Sequence, residues 1–169
     1  MLRMTSVIHW RWLSLTTLSL VLLSACGFQL RNNYHLPEQL QHVYVQGSQF
    51  NQLLKTLKQR LVIAGAEISD NAQHETQLRI LNDTLDRRTL SLFESGQVAE
   101  YELIYRVQYE LVVANKEPVA GEVEVFRDYQ DDPNFALAKT REREILVSEM
   151  RQDAANRIIY QLISSLSDD

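Results

Sequence analysis

Cysteine occurs only once in this chain of 169 residues, at Cys26. One thiol makes no internal disulfide, so cysteine usage alone leaves the redox compartment open. Glycine and proline are scarce, at five and three residues, which leaves little material for a long flexible linker. Positive charge is in deficit, with 17 Lys and Arg against 22 Asp and Glu. That balance gives no support for general nucleic-acid binding, which needs a basic face. A local basic patch for an anionic ligand is still compatible with it. Catalytic signatures are missing as well. There is no Gly-rich phosphate loop, no Gly-x-Ser-x-Gly and no second cysteine. His9, His35, His42 and His74 are scattered, and none has metal-ligand spacing with another His, Cys or carboxylate. No enzyme activity, metal or cofactor is expected.

What the chain has is organised. Hydrophobic residues make up 45% and charged residues 23%, which is ordinary for a globular chain and argues against disorder. The length suits one domain with a real core. All the acids follow Cys26, whereas Arg3 and Arg11 precede it. Residues 1–25 read as a secretory signal, with those arginines as the n-region and Leu13 to Leu23 as an apolar h-region too short for a comfortable membrane span.

The segment "LSAC" then resembles the bacterial lipobox. Small residues at 24 and 25 admit a peptidase, the bond Ala25–Cys26 is cut, and the thiol takes a diacylglycerol. The new amino terminus is acylated, with a chain such as palmitate, because several chains anchor stably where one is marginal. Cleavage leaves 15 basic residues against 22 acids, a net charge of −7. Gly27 stands where lipoproteins retained at the inner membrane carry Asp, so delivery to the outer membrane is expected. Cys26 is thus an anchor rather than a nucleophile.

Residues 26–40 read as a lipidated tether and 41–169 as a single α+β domain. "HVYVQG" is a short strand closed by Gly47. Ser48 caps a helix whose stripe is Phe50, Leu53, Leu54, Leu57 and Leu61, with Gly65 as its stop. From Ala99 to Val113, odd-numbered apolar residues alternate with polar ones, the pattern of a long half-buried strand. It pairs with "TQLRILNDTLDRRTLSLF" around a two-residue turn, Ser95-Gly96. Opposing Glu94 to Gln97 places Leu92 against Ala99, Leu90 against Tyr101, Ile80 against Leu111 and Leu78 against Val113. This gives one apolar face, interrupted by Asn82, Asp86 and Arg88 unless a bulge intervenes.

"NKEP" makes the next turn, and Val119 to Tyr129 form a third long strand with Val119, Val123 and Val125 on one side. Asp131 and Asp132 beside Pro133 and Asn134 read as turn and cap residues rather than paired catalytic carboxylates, and Asn134 caps a final helix. Its stripe is Val147, Met150, Ala154, Ile158 and Leu162. The order β-α-β-β-β-α predicts a two-layer α+β sandwich: a mainly antiparallel four-stranded sheet with two helices on one face.

Cations stand at Arg87, Arg88, Arg127, Lys139, Arg141 and Arg143. Those at the start of the last helix oppose its dipole. They read either as a face for phosphate or carboxylate groups or as a solvated face paired with Asp132, Glu142 and Glu144.

Several stretches together resemble the LptE family of lipopolysaccharide-assembly lipoproteins. They are the lipobox with "CGFQLR", the hairpin tip "SGQVAEYEL", "VFRDYQDDPNFALAKTRERE" and "SEMRQDAANRIIYQL". They run in order from Cys26 almost to the end of the chain. The resemblance implies a fold of two helices on a four-stranded sheet. It implies a lipid-anchored protein of the outer membrane, facing the periplasm and sitting as a plug in the lumen of the β-barrel LptD. That two-protein complex inserts lipopolysaccharide into the outer leaflet. The resemblance also implies direct lipopolysaccharide binding and help with assembly of the barrel. The lysine of "ALAK", implied in lipopolysaccharide contact, is Lys139. The basic residue that some relatives place before the hairpin turn is replaced by Glu94, so Arg88 or Arg87 is expected to supply that charge. A stand-alone lipoprotein binding lipid or a periplasmic solute is the alternative. It would need an apolar cavity, which the regular stripes do not suggest.

Overall fold

The computed structural model describes residues 36–48, 52–73 and 75–167. The signal, Ala25, Cys26, the tether up to His35, and Phe50 and His74 lie outside these residues.

A single helical turn, Glu38–Gln41, leads into β1, His42–Gln46. Helix α1, Gln52–Ile63, follows and buries Leu53, Leu54, Leu57 and Leu61, the stripe its periodicity predicts. Its end is a Schellman cap. Gly65 has φ 101°, its N–H reaches the Val62 carbonyl at 3.0 Å, and the Ala66 N–H reaches Leu61 at 2.9 Å. Ala66 is buried, which closes the apolar contact that accompanies this cap.

Strand β2, Glu67–Ile68, comes next, then the long strands β3, Thr76–Leu92, β4, Val98–Val113, and β5, Val119–Gln130. The sheet order is β2-β1-β3-β4-β5. The α+β class and the antiparallel β3-β4-β5 meander agree with expectation. The sheet has five strands instead of four, because β2 adds in parallel to β1, and β1 is parallel to β3 as well. Two residues are too short to display an alternation, so β2 leaves no periodic trace.

Helix α2, Ala136–Ser167, is entered through a 3-10 turn, Pro133–Phe135. The cap of that turn is Asp132, whose Oδ1 accepts from the Asn134 N–H at 2.9 Å. Asn134 is therefore the capped residue and not the cap. Asp132→Ala is expected to cost about 1 kcal/mol, read as a lowered midpoint of thermal unfolding. The predicted stripe of α2 is buried, with Ala155 and Ile159 added to it. Arg60 bonds Gln152 at 2.9 Å and Arg151 bonds Gln52 at 2.9 Å, tying the two helices together. Their stripes cover Leu103, Tyr105, Val107, Tyr109 and Leu111 of β4 and Val123 and Val125 of β5.

The hairpin register differs from the expected one. Phe93 and Gln97 close the turn, with Phe93 N–H to Gln97 O at 2.8 Å, and Gly96 takes φ 81°. Three residues, Glu94 to Gly96, therefore form the loop in place of two. Such a loop needs a left-handed residue at its end, and glycine supplies it. A second slip occurs at Leu81, which is bulged out between Ile80 and Asn82. The two slips add up to a displacement of two residues at the base, where Leu78 opposes Leu111 instead of Val113 and Ile80 opposes Tyr109 instead of Leu111, so the expected faces are kept there. In the middle the displacement is one residue. Asp83, Leu85 and Arg87 oppose Val107, Tyr105 and Leu103 on the helix-side face, displacing Asn82, Asp86 and Arg88 to the other. Further shifts near the tip put Leu92 opposite Val98 and Tyr101 opposite Thr89.

Candidate functional site

The three candidate cations divide between the two faces of the sheet. Arg87 lies on the helix side, and its guanidinium stands 4.8 Å from the centroid of Tyr101. Tyr101 pairs across to Tyr129 on β5. Over Tyr129 stands the Lys139 ammonium, 5.7 Å from the ring centroid. A row Arg87, Tyr101, Tyr129, Lys139 thus crosses three strands and ends on α2. Arg88 points to the opposite face, where it pairs with Glu102 at 2.7 Å.

Lys139 is held at two levels. Its main-chain carbonyl accepts from the Tyr129 hydroxyl at 2.9 Å, fixing the first turn of α2 to the edge of the sheet. Its ammonium bonds Glu142 at 2.9 Å, and that bond holds its pKa above the ordinary lysine value. The charge is therefore fully present at neutral pH. Burial and the nearby Asp131 push the Tyr129 hydroxyl upward, so it remains a donor. Arg141 pairs with Glu144 at 3.7 Å, and Arg127 pairs with Asp153. The solvated-face reading thus holds for Arg141, whereas Lys139 combines a salt bridge with an aromatic platform.

Beside Lys139 opens a cleft of about 420 Å³ lined by Ser91, Phe93, Ala99, Glu100, Gln130, Asp131 and Asp132. Glu100 accepts from Ser91 and Gln130, which hold its carboxyl below the ordinary value. Three carboxylates around one lysine repel an anion, so an anionic group is better placed over the tyrosine row than inside the cleft. The other sheet face is a lattice of ion pairs. Arg106 reaches Asp86, Glu122 and Glu124, and Arg79 pairs with Glu110 at 3.3 Å.

Tyr101 and Tyr129 are functional candidates that the pattern hides. Alternation marks both as core-facing residues, which they also are, and nothing local distinguishes a tyrosine that carries a cation from one that only fills space. Among the described residues no group of three or more His, Cys, Asp and Glu is arranged to hold a metal ion. No described helix is long and apolar enough to cross a membrane.

Comparison with known proteins places the chain and its fold in a family. Residues 40–162 match the family LptE, lipopolysaccharide-assembly. The chain belongs to the LptE family. The LPS-assembly lipoprotein LptE of Pectobacterium atrosepticum is 31% identical over 150 residues, covering 87% of this chain and 82% of that protein. The LptE of Yersinia pestis is 32% identical over the same share of this chain and 72% of its own length. Among solved structures, the rare lipoprotein B from Shewanella oneidensis is 41% identical, with a TM-score of 0.69 over 75% of this chain and 97% of that one. Lipoprotein B from Nitrosomonas europaea, solved in solution, is 30% identical with a TM-score of 0.68, over 83% and 93%. Membership of LptE carries a role in lipopolysaccharide assembly.

Proposed function

We propose that this LptE-family chain is an outer-membrane lipoprotein, anchored through Cys26 after cleavage at Ala25, that plugs the LptD β-barrel. There it binds lipopolysaccharide with Lys139 and Arg87. The observation that carries the ligand side is the shared placement of these two cations, each over one ring of the paired Tyr101 and Tyr129. Two cations on one rigid face suit a molecule with more than one phosphate, where charge-assisted hydrogen bonds are strongest. Tyr129 is buried beneath Lys139, so the partly exposed Tyr101 ring is the apolar surface beside them. Arg88, on the opposite face and engaged by Glu102, is left out of this contact set. Glu94 at the tip adds a negative charge, which fits a ligand held at the tyrosine row and not at the turn.

Affinity purification of the lipoprotein from detergent-solubilised outer membranes tests the partner. A large β-barrel is expected to co-purify at one-to-one stoichiometry. Recovery of the lipoprotein alone, under conditions that preserve other barrel complexes, would sink the plug reading and favour a free lipid binder.

A further inference from the structure

The two edges of the long meander are finished differently. On β5, alternate carbonyls are met by side chains. Arg157 donates to Glu124 O at 2.8 Å, Arg127 to Phe126 O at 2.8 Å, and Gln161 makes a long contact to Glu122 O at 3.5 Å. Such caps block a further strand. On the other side, β1 pairs with β3 only over Gln77, Leu78 and Arg79. Among the described residues no strand covers β3 from Asn82 to Leu92. This edge is long and carries exposed leucines, including Leu85 at 43% exposure.

Charge blunts such an edge against most strands, since Asp83, Asp86, Arg87 and Arg88 all lie along it. The same charges are self-complementary in one register. If two copies of β3 run antiparallel about Leu85, Leu85 meets its counterpart and Asp83 meets Arg87 twice, by symmetry. Thr84 then opposes Asp86, Asn82 opposes Arg88, and no like charges meet. Centring on Asp86 or on Arg87 sets like charges directly against each other. Centring on Thr84 opposes Leu81 to Arg87 and Asp83 to Leu85, with no ion pair. The run Asn82 to Thr89 is free of register shifts, with irregularities just outside it at both ends, so the favoured register lies wholly on regular strand.

We propose that the open edge of β3 pairs with the same edge of a second copy of this chain, antiparallel and centred on Leu85, to give one continuous sheet across a two-fold axis. An isologous contact of this kind closes on itself and builds no fibre. It shares Arg87 with the lipopolysaccharide reading and concerns the chain that neither the barrel nor the ligand occupies.

Disulfide trapping in the full-length lipoprotein, overproduced without a barrel and extracted in detergent, tests it. Cys26 is the only native cysteine, and the parent chain serves as the control for it. Leu85→Cys places two thiols directly opposite, within disulfide reach, and most of the chain is expected to form a covalent dimer on mild oxidation. Leu81→Cys places its thiols eight residues apart along the strands, about 26 Å, and is expected to give at least tenfold less dimer. Adding Arg87→Asp to Leu85→Cys opposes two carboxylates to Asp83 and is expected to reduce trapping to the Leu81 level. Equal trapping at positions 81 and 85 would mean random collision and overturn the proposal. So would the absence of dimer at position 85, or a dimer indifferent to Arg87→Asp.

Discussion

Replacing Lys139 by aspartate is expected to weaken binding of lipopolysaccharide by roughly tenfold or more, since one charge-assisted contact is lost and a repulsive one is introduced. The fold is expected to survive unchanged. The side chain makes a surface pair with Glu142, of a kind worth little to stability, and the bond from Tyr129 goes to the main-chain carbonyl, which aspartate also has. Circular dichroism and the unfolding midpoint should therefore match the parent, and co-purification of any barrel should persist. Arg87→Ala is expected to weaken binding too, to a smaller extent because no charge is reversed. Arg88→Ala should leave it within about twofold, because Arg88 projects from the opposite face. Direct titration of purified lipopolysaccharide against the three variants separates these cases. Unchanged binding in Lys139→Asp, or an Arg88 effect as large as that of Arg87, would remove the tyrosine row as the ligand site.

A valine at position 121 is expected to destabilise the domain by about 3 kcal/mol, the upper part of the range for overpacking a filled site. Gly121 faces Tyr109 across β4 and β5. A Cβ there would overlap the Tyr109 ring and its hydroxyl, and the glycine is there because the aromatic side chain lies on its backbone. Tyr109 is buried, and its hydroxyl bonds Gln161 of α2 at 2.8 Å. Moving the ring breaks that bond and opens the contact between sheet and helix. The unfolding midpoint should fall by roughly 10 °C for a domain of this size. Tyr109→Ala combined with Gly121→Val should cost clearly less than the sum of the two single changes, because the overlap vanishes with the ring. A parent-like midpoint for Gly121→Val, or strict additivity of the pair, would show that the ring does not rest on the glycine.

The sequence by itself determined the elements that have a period and the features that are pure chemistry. Leu53, Leu54, Leu57 and Leu61 mark one helix, Val147 to Leu162 mark the other, and the odd positions of β4 mark the buried face of the sheet. The stop at Gly65 was legible for the same reason, since only a left-handed residue closes that cap. The proposed anchoring through Cys26 rests on the order of charge, apolar run and small residues, which needs no fold to be read. Lys139 was legible as one of several cations that oppose the dipole of the last helix, and the family motif around it set it apart from the others.

Only the tertiary structure decided on which face each arginine stands. A strand alternates with a period of two, so a single bulged residue exchanges the faces of everything beyond it. Leu81 is apolar like Ile80 before it and carries no local sign of being bulged, yet it moves Arg87 to the helix side and Arg88 away from it. The pairing of Tyr101 with Tyr129, and the placing of Lys139 above them, joins residues far apart in the chain. Whether the edge of β3 is covered depends on how short β1 is relative to its neighbour. Local periodicity reports burial, but the partner across the sheet is set by register, and register is a property of the assembled strands.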